Sequence, residues 1–339
     1  MKKLLIAVCV VAVSGCAALQ RTMNAAARGD ARGLAAGAAE LEAERKKIDA
    51  KQKQCAALEK QQATYEEETG IGGAVALNLA GRTSGVYIEI SPDLEKAMPQ
   101  AGVKPKPGKG PKTDLTAYVN RIGKTLAANS ERPGLDWTFV VLDSTTPNAF
   151  SAPGGYVFIT TGMIAAVENE AQLAGVLGHE IGHITGRHAM KAYSKTKATS
   201  CSVAMGAGLV ANAAKDAVNL SSEFEGLLSA ANLDLNKASA DLIVKLSDGL
   251  ADELVSRGNG PDYEYAADAV AYDLMVFAGY DPGEFEKLLA KLPDGGFLTP
   301  HPVNKDRLAK LEPRKKEYAD WAAGLKAPAL DPVAKVVKK

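Results

Sequence analysis

No charge of either sign dominates this chain: Lys and Arg number 40, Asp and Glu 40, and the formal net charge is zero. That balance excludes the basic footprint of a nucleic-acid binder and the high net charge of a disordered acidic chain. Long apolar runs are missing too. Beyond the extreme N-terminus nothing approaches ~18 uninterrupted apolar residues, which excludes a polytopic membrane protein. Aromatic residues make up only 6%, against 32 glycines and abundant alanine, so helices are expected to pack through small residues. With 339 residues, 46% of them hydrophobic, the chain can build one or two domains with a core of their own. Histidine and cysteine are scarce at four each, and the positions of both are informative.

The first residues read as an address rather than as part of the fold. Lys2 and Lys3 make a positive start, Leu4 to Val13 an apolar stretch, and Val13-Ser14-Gly15-Cys16 closes it. Small residues before a cysteine resemble a bacterial lipobox, with 1–15 as signal peptide and Cys16 as the acylated mature N-terminus. Val13 stands where Leu is commoner. Acyl chains on one cysteine hold a protein to a membrane without a spanning helix. Ala17 follows, where an Asp would suggest inner-membrane retention. The expected location is therefore the bacterial cell envelope, on the outer membrane facing the periplasm. Cys55 and Cys201 then remain. An oxidising periplasm permits their pairing, and two buried free thiols fit the sequence equally.

Residues 16–85 are expected to form the lipidated N-terminus with a helical tether. Leu41 to Glu68 is rich in Ala, Glu, Lys and Gln without Gly or Pro, and Leu41, Ile48, Cys55 and Leu58 recur near every seventh position. A docking helix and a solvated spacer both fit. Gly70 to Gly85 is small and glycine-rich. Residues 86–113 hold an alternating strand, Val86 to Ile90, and a Pro/Gly/Lys linker, Lys104 to Lys112. The compact domain spans 114–318, with 198–254 as a helical insertion or lid, and 319–339 as a C-terminal tail. Leu115, Val119, Ile122 and Leu126 repeat at helical spacing, and Trp137 to Leu142 reads as a buried strand. Asn148 to Thr160 reads as a hairpin around Pro153-Gly154-Gly155. Thr161 is expected to cap a short helix, and Asn169 with Gln172 a longer one.

That longer helix carries the chemistry. His179-Glu180-Ile181-Gly182-His183 is HExxH, two histidines at i and i+4 on one helical face. The stripe Leu173, Leu177, Ile181 and Ile184 lies on the other side and can pack on the core. With four histidines and 21 glutamates, chance matches number only about 0.003 per shuffled chain. Neutral imidazoles suit Zn²⁺, and a third protein ligand leaves one position for water. Glu180 can stand beside that water as general base.

His188 invites a metzincin reading, but that pattern needs histidine at position 189, which is Ala189. His188 is thus expected to be structural or to line the cleft. Glu264 is the better third ligand, in Asp262-Tyr263-Glu264-Tyr265-Ala266-Ala267-Asp268. Asp268, one turn later on the same face, can accept an N–H from a liganding histidine. Pro261 fits the first turn of this helix and Gly279 its stop.

The order of these segments resembles a known family. Asn148-Ala149-Phe150 with Pro153-Gly154-Gly155, Thr161-Gly162, HExxH with Arg187-His188, Glu264-xxx-Asp268, Gly279-Tyr280-Asp281-Pro282 and His301-Pro302 follow one another. They look like the HtpX-like and CAAX-prenyl-protease-like zinc metallopeptidases, specifically soluble periplasmic lipoprotein members, over about residues 114–312. The resemblance implies one zinc per chain on His179, His183 and Glu264, with Glu180 as base. It also implies that His301 approaches the site, either donating to the oxyanion or capping the metal, and that Arg307, Leu308 and Leu311 continue a trailing helix. Ala269 stands where many members have Arg, and Ser256-Arg257 lies further from the glutamate than usual, so Arg257 receives no role.

The expected fold is α+β and predominantly helical, a zincin-like domain with a small antiparallel sheet beside the HExxH helix. An extended substrate would add to an edge strand, either at Asn148, Ala149 and Phe150 or at Tyr156 to Thr160. The expected activity is hydrolysis of unfolded or misassembled envelope polypeptides. A chaperone using the same cleft with little cleavage is the alternative, and a structural lipoprotein whose zinc only stabilises the fold is a third. Residues 17–68 or 198–254 would recruit an envelope partner. No nucleic acid is expected to bind.

Overall fold

The computed structural model describes residues 16–81, 86–87, 111–195, 198, 201–202, 260–291, 304–322 and 324–338. The expected signal segment 1–15, most of the 198–254 insertion, most of the Pro/Gly/Lys linker, Arg257 and His301 lie outside the described residues. No described helix is long and apolar enough to cross a membrane. The described residues form two compact units, one from 16–63 with 191–202 and one from 64–190 with 260 onward.

The first unit contains a helical hairpin. α1 (Cys16–Ala27) and α2 (Ala31–Lys60) turn at Gly29, whose φ of +66° lies in the left-handed region that favours glycine. Asp30 caps α2 by accepting from the Arg32 and Gly33 N–H groups. The helices meet through small residues, since a Cβ on Gly37 would stand 2.1 Å from Thr22 Oγ1. Cys55 is buried in this unit and forms a disulfide with Cys201. The bridge closes a sequence separation of 146, worth roughly 2–5 kcal/mol, mainly by restricting the unfolded chain.

The second unit contains α3 (Tyr65–Gly81), β1 (Val86–Tyr87), α4 (Pro111–Ala128), β2 (Thr138–Leu142), β3 (Ala149–Ala152) and β4 (Tyr156–Thr160). It continues with α5 (Thr161–Ala166), α6 (Glu170–Thr185), α7 (Pro261–Phe277), α8 (Gly283–Lys291), α9 (Asn304–Glu317) and α10 (Ala319–Ala322), and closes with a 3₁₀ segment, Pro332–Lys338. The architecture is α+β and mostly helical, as expected. Its sheet is mixed rather than purely antiparallel. The strand order is β1-β2-β4-β3, with β2 and β4 parallel and the outer pairs antiparallel. The segment between Leu142 and Ala149 carries the chain past one strand position, and the hairpin returns β4 into the gap. β4 is therefore central, buried from Val157 to Thr160, and is not open to a substrate. Among the described strands, β3 pairs only with β4 and forms an edge.

Local capping mostly follows the sequence rules. Asn169 accepts from the Gln172 N–H, and the Gln172 side chain accepts from the Glu168 N–H, fixing the start of α6. α5 is capped by Thr160 instead of Thr161. Thr160 Oγ1 accepts from the Met163 N–H at 3.0 Å, while Thr161 donates to the Ser144 carbonyl. Thr160 has the extended backbone that a cap requires (φ −83°, ψ 153°). Gly279, at φ +84°, ends α7 with the Tyr280 N–H donating back to the Met275 carbonyl.

Two segments contribute more than expected. The glycine-rich stretch after Thr69 is part of helix α3, which packs on the β3–β4 turn: a Cβ on Gly72 would lie 1.8 Å from the Pro153 carbonyl oxygen. The C-terminal segment 319–339 is not a free tail, because Leu330 and Ala334 are buried in the main core. Pro313 lies inside α9.

Every α6 residue from Ala171 to Ile184 is buried. Leu173, Leu177, Ile181 and Ile184 join Leu115, Val119, Ile122 and Leu126 of α4 and the sheet residues Phe139, Val141, Val157 and Ile159. On the opposite face α6 meets α7 through glycine. A Cβ on Gly178 would stand 3.1 Å from Ala271 Cα, and one on Gly182 2.8 Å from Ala267 Cα. Backbone lies there, so neither position can yield cheaply. Gly182→Ala gains about 1 kcal/mol of helix propensity but forces α7 outward, at about 1–3 kcal/mol. The expected result is a lower Tm, read by thermal melting. An unchanged Tm would show that α7 is free to move.

Candidate metal centre

The α6–α7 contact brings the chemistry together. His179 Nε2 and His183 Nε2 are 3.0 Å apart. Glu264, from the first turn of α7, puts Oε2 3.3 Å from His179 Nε2 and Oε1 3.4 Å from His183 Nε2. All three residues are buried, and their donor atoms lie within 4.8 Å of one another. Zinc bonds of about 2.0–2.2 Å at tetrahedral angles separate ligand atoms by roughly 3.3 Å. Two imidazole nitrogens and a carboxylate on that spacing are a donor set that fits zinc.

The far side of each imidazole is held as well. His179 Nδ1 is 2.8 Å from Asp268 Oδ1. Asp268 also accepts from Arg307, from Nη2 at 2.6 Å and Nε at 2.8 Å. His183 Nδ1 is 2.8 Å from His188 Nδ1, and the His188 ring stacks on Tyr263 with centroids 4.4 Å apart. When Nε2 of His179 is the ligand atom, its Nδ1 carries the proton and donates to Asp268, which fixes tautomer and ring plane. His188 lies beyond His183 Nδ1, outside the donor triangle.

Electrostatics favour a positive charge in this cluster. Burial lowers the His179 pKa, but hydrogen bonds and charges from Asp268 and Glu264 outweigh it and raise the value to about 10. Burial raises the Asp268 pKa, yet Arg307 and His179 together hold it below the usual carboxylate range. Asp268 and Glu264 thus favour positive charge on His179 itself. Replacing Asp268 with Asn keeps an acceptor but removes its charge and half of the Arg307 pairing. Zinc affinity is expected to fall ~10–100-fold, measured by competition with a chromophoric chelator. Unchanged affinity would remove Asp268 from the support of His179.

Glu180 is buried on α6 beside His179. Asn148 precedes β3, where its carbonyl accepts from the Thr160 N–H, and Ala149 and Phe150 begin the edge strand. Arg307 was legible only as part of a trailing helix. Its role comes from pairing with Asp268 across 39 positions. A signal was present, since Asn304, Arg307 and Leu311 are the buried positions of an otherwise charged helix, spaced three and four apart.

Comparison with known proteins agrees with this geometry. Residues 113–315 match peptidase family M48. The chain is 29% identical over 240 residues to the mitochondrial metalloendopeptidase OMA1 of Schizosaccharomyces pombe, covering 67% of this chain and 62% of that protein. It is 26% identical over 214 residues to the beta-barrel assembly-enhancing protease of Yersinia pestis, covering 60% of this chain and 39% of that one. A stretch of 54 residues is 46% identical to the mitochondrial OMA1 metalloendopeptidase of Danio rerio, 16% of this chain and 11% of that one. The chain thus spans less than two thirds of the length of these relatives. The M48 match takes in the HExxH helix, the Glu264 helix and Arg307, and the chain belongs to peptidase family M48.

Proposed function

We propose that this protein is a zinc-dependent endopeptidase of the bacterial cell envelope that hydrolyses unfolded or misassembled envelope proteins. The observation that carries the reading is the buried triangle of His179, His183 and Glu264 with Glu180 on the same helix. A zinc ion held there supplies Lewis acidity, lowering the pKa of water and polarising the scissile carbonyl. Glu180 accepts the proton of the attacking water and returns it to the leaving amine. Asp268 and Arg307 hold His179 in place, and His188 holds His183. The open edge of β3, from Ala149 to Ala152, pairs with an extended substrate through its backbone. Such pairing selects extended chain over folded protein, which supports unfolded clients. A relative named for enhancing β-barrel assembly supports envelope clients. His301 serves as oxyanion donor or as a cap on the metal. Acylation of Cys16 anchors the chain at the outer membrane, facing the periplasm, and the disulfide of Cys55 with Cys201 suits that oxidising compartment.

The test uses zinc-loaded mature protein and one substrate in two forms, native and reduced-and-alkylated. Cleavage of the unfolded form, loss of cleavage with a chelator and recovery with zinc are expected. An unfolded substrate left intact by the zinc-loaded protein would overturn the reading. For the anchor, Cys16→Ser is expected to abolish globomycin-sensitive maturation and membrane partition, and a variant that partitions unchanged would exclude lipidation.

A further inference from the structure

The last turn of α6 is held from outside the helix. Ile184 follows His183, and its carbonyl is among those that a helix end leaves without an internal partner. That carbonyl accepts from the Arg187 N–H at 3.0 Å and from Arg132 Nη1 at 3.2 Å. Glu68 grips the Arg132 guanidinium in turn through both carboxylate oxygens, at 2.7 and 3.0 Å. The Arg132 backbone is fixed as well, since its carbonyl accepts from the Trp137 indole N–H at 3.0 Å. The Glu68 side chain is buried, and a buried ion pair offsets its lost hydration only where geometry and further contacts are good. Here each charge sits at a helix end of opposite sign: Glu68 in the first turn of α3, Arg132 at the last carbonyls of α6.

A second route runs from Glu68 towards His183. Arg187 Nε lies 3.8 Å from the same carboxylate. Arg187, at φ +52°, is the single non-glycine residue with positive φ among the described residues. Such a backbone persists where its surroundings enforce it. His188 follows directly, with its Nδ1 2.8 Å from His183 Nδ1. Glu68 thus ties down the residue after His183 and the residue before His188. It belongs to α3, which lies outside the residues that match the family.

We propose that Glu68 is a positioning residue for the candidate metal centre, acting through Arg132 and Arg187 to hold His183 in place. The proposal rests on the zinc reading of that centre and extends its support to a helix beyond the family match. Glu68 is not one of the three donors, and its effect is on where the end of α6 lies. α3 is itself anchored at the far end of the edge strand. Gly72 abuts the Pro153 carbonyl, and a Cβ on Gly154 would stand 3.1 Å from Thr69 Cα. The carboxylate therefore sets the end of α6 against a fixed point beside β3.

Glu68→Gln tests this in the full chain, well below its Tm, with three readouts. Zinc affinity, by competition with a chromophoric chelator, is expected to fall ~3–10-fold, less than the ~10–100-fold for a direct partner of a ligand. With zinc saturating, kcat on unfolded substrate should fall while KM holds, because the β3 edge is untouched. Hydrogen exchange should quicken over 182–188, where the Gly186 and Arg187 N–H groups close the end of α6. Glu68→Asp, which keeps the charge, should recover part of each loss. Adding Arg132→Met to Glu68→Gln should weaken zinc no further than Arg132→Met alone, as expected of residues acting in series. Leu289→Ala, in the separate core cluster around Phe285, is the stability control. It should lower Tm and leave zinc affinity and exchange over 182–188 at wild-type values. A Glu68→Gln variant that behaves like this control overturns the positioning role. Where Glu68→Gln does not fold, Arg132→Lys carries the same readouts, since one ammonium cannot serve both Glu68 oxygens and the Ile184 carbonyl together. A wild type that binds zinc and cleaves nothing removes the proteolytic reading, and the zinc affinities and exchange then decide the role of Glu68. A wild type that cleaves, matched by Glu68→Gln in all three readouts, keeps the proteolytic reading and removes the positioning role.

Discussion

Glu180→Gln is expected to retain zinc and folding while losing ~10²–10⁴-fold in kcat/KM on unfolded substrate, the span associated with removing a general base. The substitution is nearly isosteric, and Gln has almost the helix propensity of Glu, so α6 should keep its place between α4 and α7. The candidate donor atoms belong to His179, His183 and Glu264, and none is touched. What disappears is a carboxylate able to accept a proton. Metal content by elemental analysis and initial rates on a reduced-and-alkylated substrate give the two readouts. A variant that digests this substrate as fast as wild type would reject the zinc-peptidase mechanism and favour a chaperone using the same cleft.

Glu264→Ala is expected to lose the metal itself. Its carboxylate oxygens stand 3.3 and 3.4 Å from the two histidine nitrogens, and no other described His, Cys, Asp or Glu completes a three-donor group with them. The loss of zinc affinity should exceed the ~10–100-fold that removing a hydrogen-bond partner of a ligand costs. Glu264→Ala should therefore bind zinc more weakly than Asp268→Asn, and that ranking separates ligand from support. Glu264→Gln should recover part of the binding, because its amide oxygen remains a donor without charge. Full zinc occupancy in Glu264→Ala would reject Glu264 as a ligand and return attention to His301.

Much of the candidate site was legible because its parts are local. Two histidines at i and i+4 must share a helix face, and Glu264 and Asp268 share one for the same reason. The caps at Asn169 and Gly279 follow from side-chain reach and from the left-handed backbone that glycine accepts. The assignment of the α5 cap to Thr161 slipped by one residue, because Thr160 and Thr161 are chemically alike and only backbone geometry distinguishes them. The sheet was legible as strands but not as pairing. Which strand fills the position beside β2 depends on the path between Leu142 and Ala149, and no periodicity records that.

The sequence by itself determined the helical character of the chain, the HExxH helix with its apolar stripe, the hairpin, and the pair of acidic residues one turn apart. Each is a matter of spacing within one element, where bond geometry fixes which side chains are neighbours. Only the tertiary structure decided that Arg307 pairs with Asp268 across 39 positions and that His179 meets Asp268 across 89. The same holds for Glu68 gripping Arg132 across 64 positions and for Cys55 joining Cys201. These contacts require separate elements to approach, and that approach is set by packing: glycines at 178 and 182 let α7 lie against α6, and Gly72 lets α3 lie against the β3–β4 turn. A missing side chain leaves no periodic signal of what will fill its place, so these distant partners became visible only once the helices had packed.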